Sequence, residues 1–98
     1  MGMPKYATKR DTVENEIFNA LRKCGVDIYP TDKPFDAIAG FRGQSYLVEC
    51  KDPKKKGWKN EFTPDQLDFM SSWRGSSVVV LRSVEDAINW VNTIKSIT

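Results

Sequence analysis

Two strand-like runs, Phe35–Phe41 and Gln44–Lys51, meet at Arg42-Gly43. They constrain the fold more than any other part of the chain. A two-residue link between two such runs implies an antiparallel hairpin. In that register Phe41 faces Gln44, and Asp36 falls directly opposite Glu49. Side chains alternate along a strand, so Lys51 shares the face of Glu49, and Ile38 and Leu47 continue that face. Facing carboxylates about 5 Å apart repel each other. A sheet keeps them only if one is protonated, if Lys51 neutralises them, or if a cation sits between them. Two readings stay open here: a solvated sheet edge with a structural Glu–Lys pair, or an oxygen-only site suited to Mg²⁺ or Mn²⁺.

The flanking sequence supplies the rest of a domain. Residues 1–10 form a short basic lead-in. Asp11 to Gly25 is predicted as a helix, with Asp11 and Glu14 as a capping box and Gly25 as terminator. Val13, Ile17, Ala20, Leu21 and Cys24 share its apolar face. Measured from Ile17, Glu14 lies about 60° from the apolar direction and Glu16 about 100°. Glu14 can therefore lean toward the sheet, while Glu16 faces water; as part of a cap, Glu14 also has a purely structural use.

A short strand is predicted over Val26–Tyr29 and a loop over Pro30–Pro34. Thr63 to Trp73 is predicted as a second helix, with Thr63 as N-cap, Pro64 in the first turn and Gln66 completing a capping box. "SVVVLR", Ser77–Arg82, is predicted as a buried strand. Ser83 opens a last helix with Ala87, Ile88, Val91, Ile94 and Ile97 inward. The order α-β-β-β-α-β-α predicts a single α/β domain over 1–98, with one mixed β-sheet flanked by helices.

Composition narrows the chemistry. With 98 residues, the chain buries only about 60–65% of its unfolded surface, enough for one modest core. It has no histidine. Ser-His-Asp and Cys-His hydrolysis, HNH-type cleavage and His-ligated zinc are thereby set aside, leaving carboxylates, lysines and a hard metal ion. Cys24 and Cys50 form no CxxC and no disulfide framework, which suits a reducing cytoplasm. No apolar run approaches the ~18 residues of a membrane span. Net charge is +2, yet Lys51–Lys59 alone holds five lysines against one aspartate. Such a run is either a solvated loop or the contact for a polyanion.

Together these residues resemble a known set. Asp36 followed by Glu49-Cys50-Lys51 resembles the D…(E)xK core of the PD-(D/E)XK nuclease superfamily, with Pro34-Phe35-Asp36 in place of the usual Pro-Asp pair. "ENEIFNALRKCG" is similar to the opening helix of the VRR-NUC family, with Glu14 at its acidic position. "FTPDQLDFM" and "SSVVVLRSVEDA" resemble that family's closing half. The resemblance covers roughly residues 11–90, in order, and matches the stand-alone phage and bacterial form related to the nuclease domain of the Fanconi-associated nuclease.

The resemblance implies a restriction-endonuclease-like core. It implies that Asp36 and Glu49 bind Mg²⁺ or Mn²⁺ with help from the Cys50 backbone carbonyl, and that Glu14 reaches the ion directly or through a water. Lys51 orients the attacking water and stabilises phosphorane charge; Gln66 steadies Lys51 or the scissile phosphate. That role and the capping box compete for one side chain. Cleavage is expected to leave 5′-phosphate and 3′-hydroxyl ends.

Lys54, Lys55, Lys56 and Lys59 are the expected DNA-phosphate contacts. Trp58 either stacks on an unpaired base or joins the core. Stand-alone relatives are thought to act as symmetric dimers on four-way junctions. Phe69, Met70, Trp73 and Trp90 either form the dimer face or complete the core. The expected activity is a metal-dependent, structure-specific endodeoxyribonuclease, a homodimeric Holliday-junction resolvase acting on branched or duplex DNA in a bacterial or phage-infected cytoplasm. The alternatives are a flap or nicking endonuclease and a non-cleaving DNA-binding module.

Overall fold

The computed structural model describes residues 12–55 and 61–97. Asp11, Lys56, Trp58, Lys59 and the 1–10 lead-in lie outside them. The described chain is α/β and runs α1 (Thr12–Lys23), β1 (Asp27–Pro30), β2 (Ala37–Phe41), β3 (Gln44–Cys50), α2 (Pro64–Ser72), β4 (Val79–Leu81) and α3 (Val84–Ile97). The strands form one sheet in the order β1-β2-β3-β4. β1–β2 and β2–β3 pair antiparallel and β3–β4 parallel, so the sheet is mixed and helices flank it. No helix among the described residues is long and apolar enough to cross a membrane.

The hairpin turn has the two-residue form read from the sequence. Arg42 and Gly43 both take positive φ, 51° and 80°, as a tight turn matched to strand twist requires. Arg42 bears this conformation while its guanidinium lies over the Phe41 ring and donates to the Lys95 carbonyl at the end of α3. The predicted register holds from Phe41↔Gln44 to Ala37↔Val48.

One face of the sheet carries Ala37, Ala39, Phe41, Val48 and Leu81. These pack with Ile17, Phe18 and Leu21 of α1 and Ala87, Val91 and Ile94 of α3 into the core. Small alanines at the centre of β2 let two helices approach one strand closely. α1 ends as predicted: Gly25 takes φ 89°, where a side chain would be strained, and the Val26 amide bonds back to the Leu21 carbonyl.

Two expectations require correction. Ile88 and Ile97 are exposed, because α3 turns only the Ala87–Val91–Ile94 stripe toward the core. The "SVVVLR" strand is shorter and half-buried, because β4 is a sheet edge with one neighbour. Of the aromatic residues on α2 and α3, Trp90 packs edge-on against Tyr46, and Phe69 packs against Phe35, while Trp73 stacks on Phe69 and stays 46% exposed.

Candidate functional site

The second face of the hairpin holds the charges. β3 has one residue of each kind per step: Val48 points into the core, Glu49 to the opposite face. Glu49, Lys51, Glu14 and Gln66 are the buried polar residues, all between 5% and 7% exposed. Burying four such groups in so small a chain is costly unless each is bonded.

Lys51 is held on several sides. Its Nζ lies 3.1 Å from Glu49 Oε2. It donates to the Glu61 carbonyl at 2.6 Å and sits 5.6 Å from the Phe62 ring centroid. Its own amide donates to the Leu81 carbonyl, fixing the backbone beside β4. The sequence pattern placed Lys51 beside Glu49 but gave no signal for Glu61 and Phe62, which reach it from the lead-in to α2.

Asp36 is not a ladder partner of Glu49. Regular pairing stops at Ala37↔Val48, one residue short of the expected contact. The reason is local. The Asp36 amide donates to the Val48 carbonyl, its carbonyl accepts from Thr31, and Oδ2 accepts from the Cys50 amide at 2.7 Å. The carboxylate is thus bound to the β3 backbone at Cys50, between Glu49 and Lys51 in sequence, and still reaches the Glu49 carboxyl.

The two acids still feel each other. Burial pushes the Asp36 carboxyl up from 3.8 to about 6. The Cys50 amide and a hydrogen bond with the Glu49 carboxyl work against that rise; the Glu14 charge and a hydrogen bond between the Asp36 and Glu14 carboxyls add to it. Glu49 is raised as well, first by burial and then by the charge of Asp36, with Gln66 and Lys51 opposing. Glu14 therefore does turn inward to Asp36, and Glu16 is exposed, as the helical wheel places them.

Gln66 fills the capping box at both ends. Oε1 accepts from the Thr63 amide at 2.9 Å while the Thr63 hydroxyl accepts from the Gln66 backbone amide. Its Nε2 donates to the Pro34 carbonyl at 2.9 Å. One side chain thereby ties the start of α2 to the segment that delivers Asp36, so the cap and a place at the site are compatible. The Phe35 ring packs edge-on against Phe62 and Phe69 behind this segment.

Glu49 Oε1 is buried and has no hydrogen-bond partner among the described residues. Among those residues no three His, Cys, Asp or Glu side chains are grouped as a metal-binding cluster. The oxygens of Asp36 and Glu49 are hard donors. Mg²⁺ is commonly held by one or two carboxylates, completed by water and substrate phosphate. The orphaned Oε1 beside a second carboxylate fits such an ion.

Lys54 and Lys55 are exposed in the turn after β3, where Asp52 accepts from both their amides. Comparison with protein-family models, with curated proteins and with solved structures returns no match to this chain.

Proposed function

We propose that this protein is a Mg²⁺- or Mn²⁺-dependent endodeoxyribonuclease of PD-(D/E)XK type, with a restriction-endonuclease-like core, acting as a homodimer on branched DNA. The observation that carries the reading is the buried Glu49–Lys51 pair beside Asp36, with Glu49 Oε1 unpartnered among the described residues. A fold seeking stability alone gains little from such a set, since apolar residues of similar volume do as well or better in a core.

Asp36 and Glu49 would hold the ion through their carboxylate oxygens. A bound divalent cation supplies Lewis-acid polarisation of the phosphodiester and offsets the charge of the acids. The remaining roles belong to the chain itself. Lys51 presents an ammonium where negative charge builds on the phosphorus oxygens, a contribution that grows in a dry site. Glu49 Oε2 and the Glu61 carbonyl aim it. With one N–H given to Glu49 and one to the Glu61 carbonyl, the third donor of Nζ would serve a phosphate oxygen. The Cys50 amide orients Asp36, and Gln66 positions the Pro34–Asp36 segment. Lys54 and Lys55 would grip flanking phosphates and make binding salt-dependent.

The test is incubation with labelled four-way junction, 5′-flap and plain duplex in Mg²⁺, Mn²⁺ or EDTA. Symmetric nicks in the junction alone support resolution; cuts in the flap support a flap enzyme. Binding without cuts in either metal supports a non-cleaving module and ends the nuclease reading. Lys51→Ala should bind DNA and lose cleavage by about 10²–10³-fold.

A further inference from the structure

A groove of about 500 Å³ lies outside the site, between α1 and α3. Its walls are Glu16, Asn19, Ala20, Lys23 and Cys24 from α1 and Val84 and Ile88 from α3. The α1 residues fall on one stripe, at the spacing that lets two helices pack side by side. Ile88 and Val84 are 42% and 37% exposed, more apolar surface than α3 needs to leave in water.

The charges on this stripe are arranged to match themselves. Glu16 and Lys23 stand two helical turns apart on the same face, and both are exposed. Among the described residues neither is paired within the chain. A two-fold axis crossing α1 midway between them brings a second α1 alongside, antiparallel. Each Glu16 then meets the partner's Lys23, and each Lys23 meets the partner's Glu16. Asn19 faces the partner's Ala20 at the crossing, where a small side chain permits close approach. Ile88 and Val84 close over the sides.

We infer that the α1–α3 groove is the self-association surface of this protein, occupied by α1 of a second copy in antiparallel register. The inference rests on the homodimer part of the proposed function and names its interface, in place of the aromatic residues of α2. The apolar walls supply the affinity, while the two symmetric charge pairs set the register.

Sedimentation velocity at low salt tests it, with wild type, Glu16→Lys, Lys23→Glu, the double reversal, and an equimolar mixture of the two single variants. Each single variant replaces two attractions by two repulsions and should weaken dimerisation about tenfold or more. The double reversal and the mixture restore opposite charges across the axis and should recover the wild-type dimer. A wild type that stays monomeric from micromolar to millimolar concentration overturns the proposal. So does a dimer indifferent to all four changes, which would place the interface elsewhere. Neither position touches the carboxylate–lysine site, so junction cleavage measured on the same samples reports separately on the nuclease reading.

Discussion

Val48 and Glu49 are neighbours on β3, and both are out of water. What buries them differs in kind. Val48 is covered by helices that arrive with matching apolar stripes, Ile17 and Leu21 on one and Val91 and Ile94 on the other. Its environment is redundant: many weak contacts, none of them directional. Glu49 is covered by individual partners, Lys51 at 3.1 Å on Oε2, while Oε1 has no hydrogen-bond partner among the described residues. Lys51 in turn depends on a carbonyl ten residues away in sequence. The helix-covered face can lose a group and relax around the loss. The charged face has few ways to compensate, because an ion stripped of its partner in a dry setting stays costly.

That contrast can be broken or sharpened by substitution. The largest effect is expected from Lys51→Met, which leaves Glu49 buried without its counter-charge and should cost about 3–5 kcal/mol at neutral pH in urea unfolding. The loss should shrink on acidification, because Glu49 is already shifted toward taking up a proton. Adding Glu49→Gln to Lys51→Met should recover most of it; a full loss in the double variant would make Lys51 a packing residue instead.

Leu21→Ala, on the core face, should cost about 3 kcal/mol, and the cost should not vary with pH. A pH-dependent loss there would mean that the two faces are not energetically separate.

Asp36→Asn should act in a defined pH window. The Asp36 carboxyl holds its proton up to about 6 in the folded chain, against an ordinary 3.8. The folded state binds more protons between those values, so stability falls as pH rises through the window and levels off above it. The variant should reduce that slope and gain on the order of 1–2 kcal/mol above the window, since Asn keeps an oxygen for the Cys50 amide. Urea midpoints from acid to neutral pH measure this; an unchanged slope would assign the titration to other groups. In the wild type, Mn²⁺ or Mg²⁺ should raise the melting temperature more above the window than below it, because cation and proton compete for the same oxygens.

The smallest effect is expected from Gln66→Ala. It removes the capping partner and the bond to Pro34 and should cost about 1 kcal/mol. Chemical shifts of the Asp36 and Cys50 amides should move as well. A loss of stability with those shifts unmoved would confine Gln66 to the helix cap.

Much of the site could be read from local rules. Period-two alternation set Glu49 and Lys51 on one face and Val48 on the other. The helical wheel turned Glu14 inward and Glu16 outward, and the Thr63–Gln66 spacing announced a cap. The ladder's early end at Ala37 was not legible, because it depends on where the Asp36 carboxylate and amide find partners. Nor was the exposure of Ile88 and Ile97, since apolar periodicity names a stripe without saying how much of it a neighbour will cover.

What the amino-acid order determined by itself was the set of elements, the hairpin register from Phe41↔Gln44 to Ala37↔Val48 and the alternation of residues along β3. Those follow from backbone sterics and from two fixed periods, 2 and about 3.6, that hold whatever else the chain does. Only the tertiary structure decided that Glu61 and Phe62 close over Lys51, that Gln66 ties α2 to the Asp36 segment, and that Glu49 Oε1 has no partner among the described residues. Those contacts join residues distant in sequence, and a hydrogen bond or a buried charge pair exists only when both ends arrive within about 3 Å.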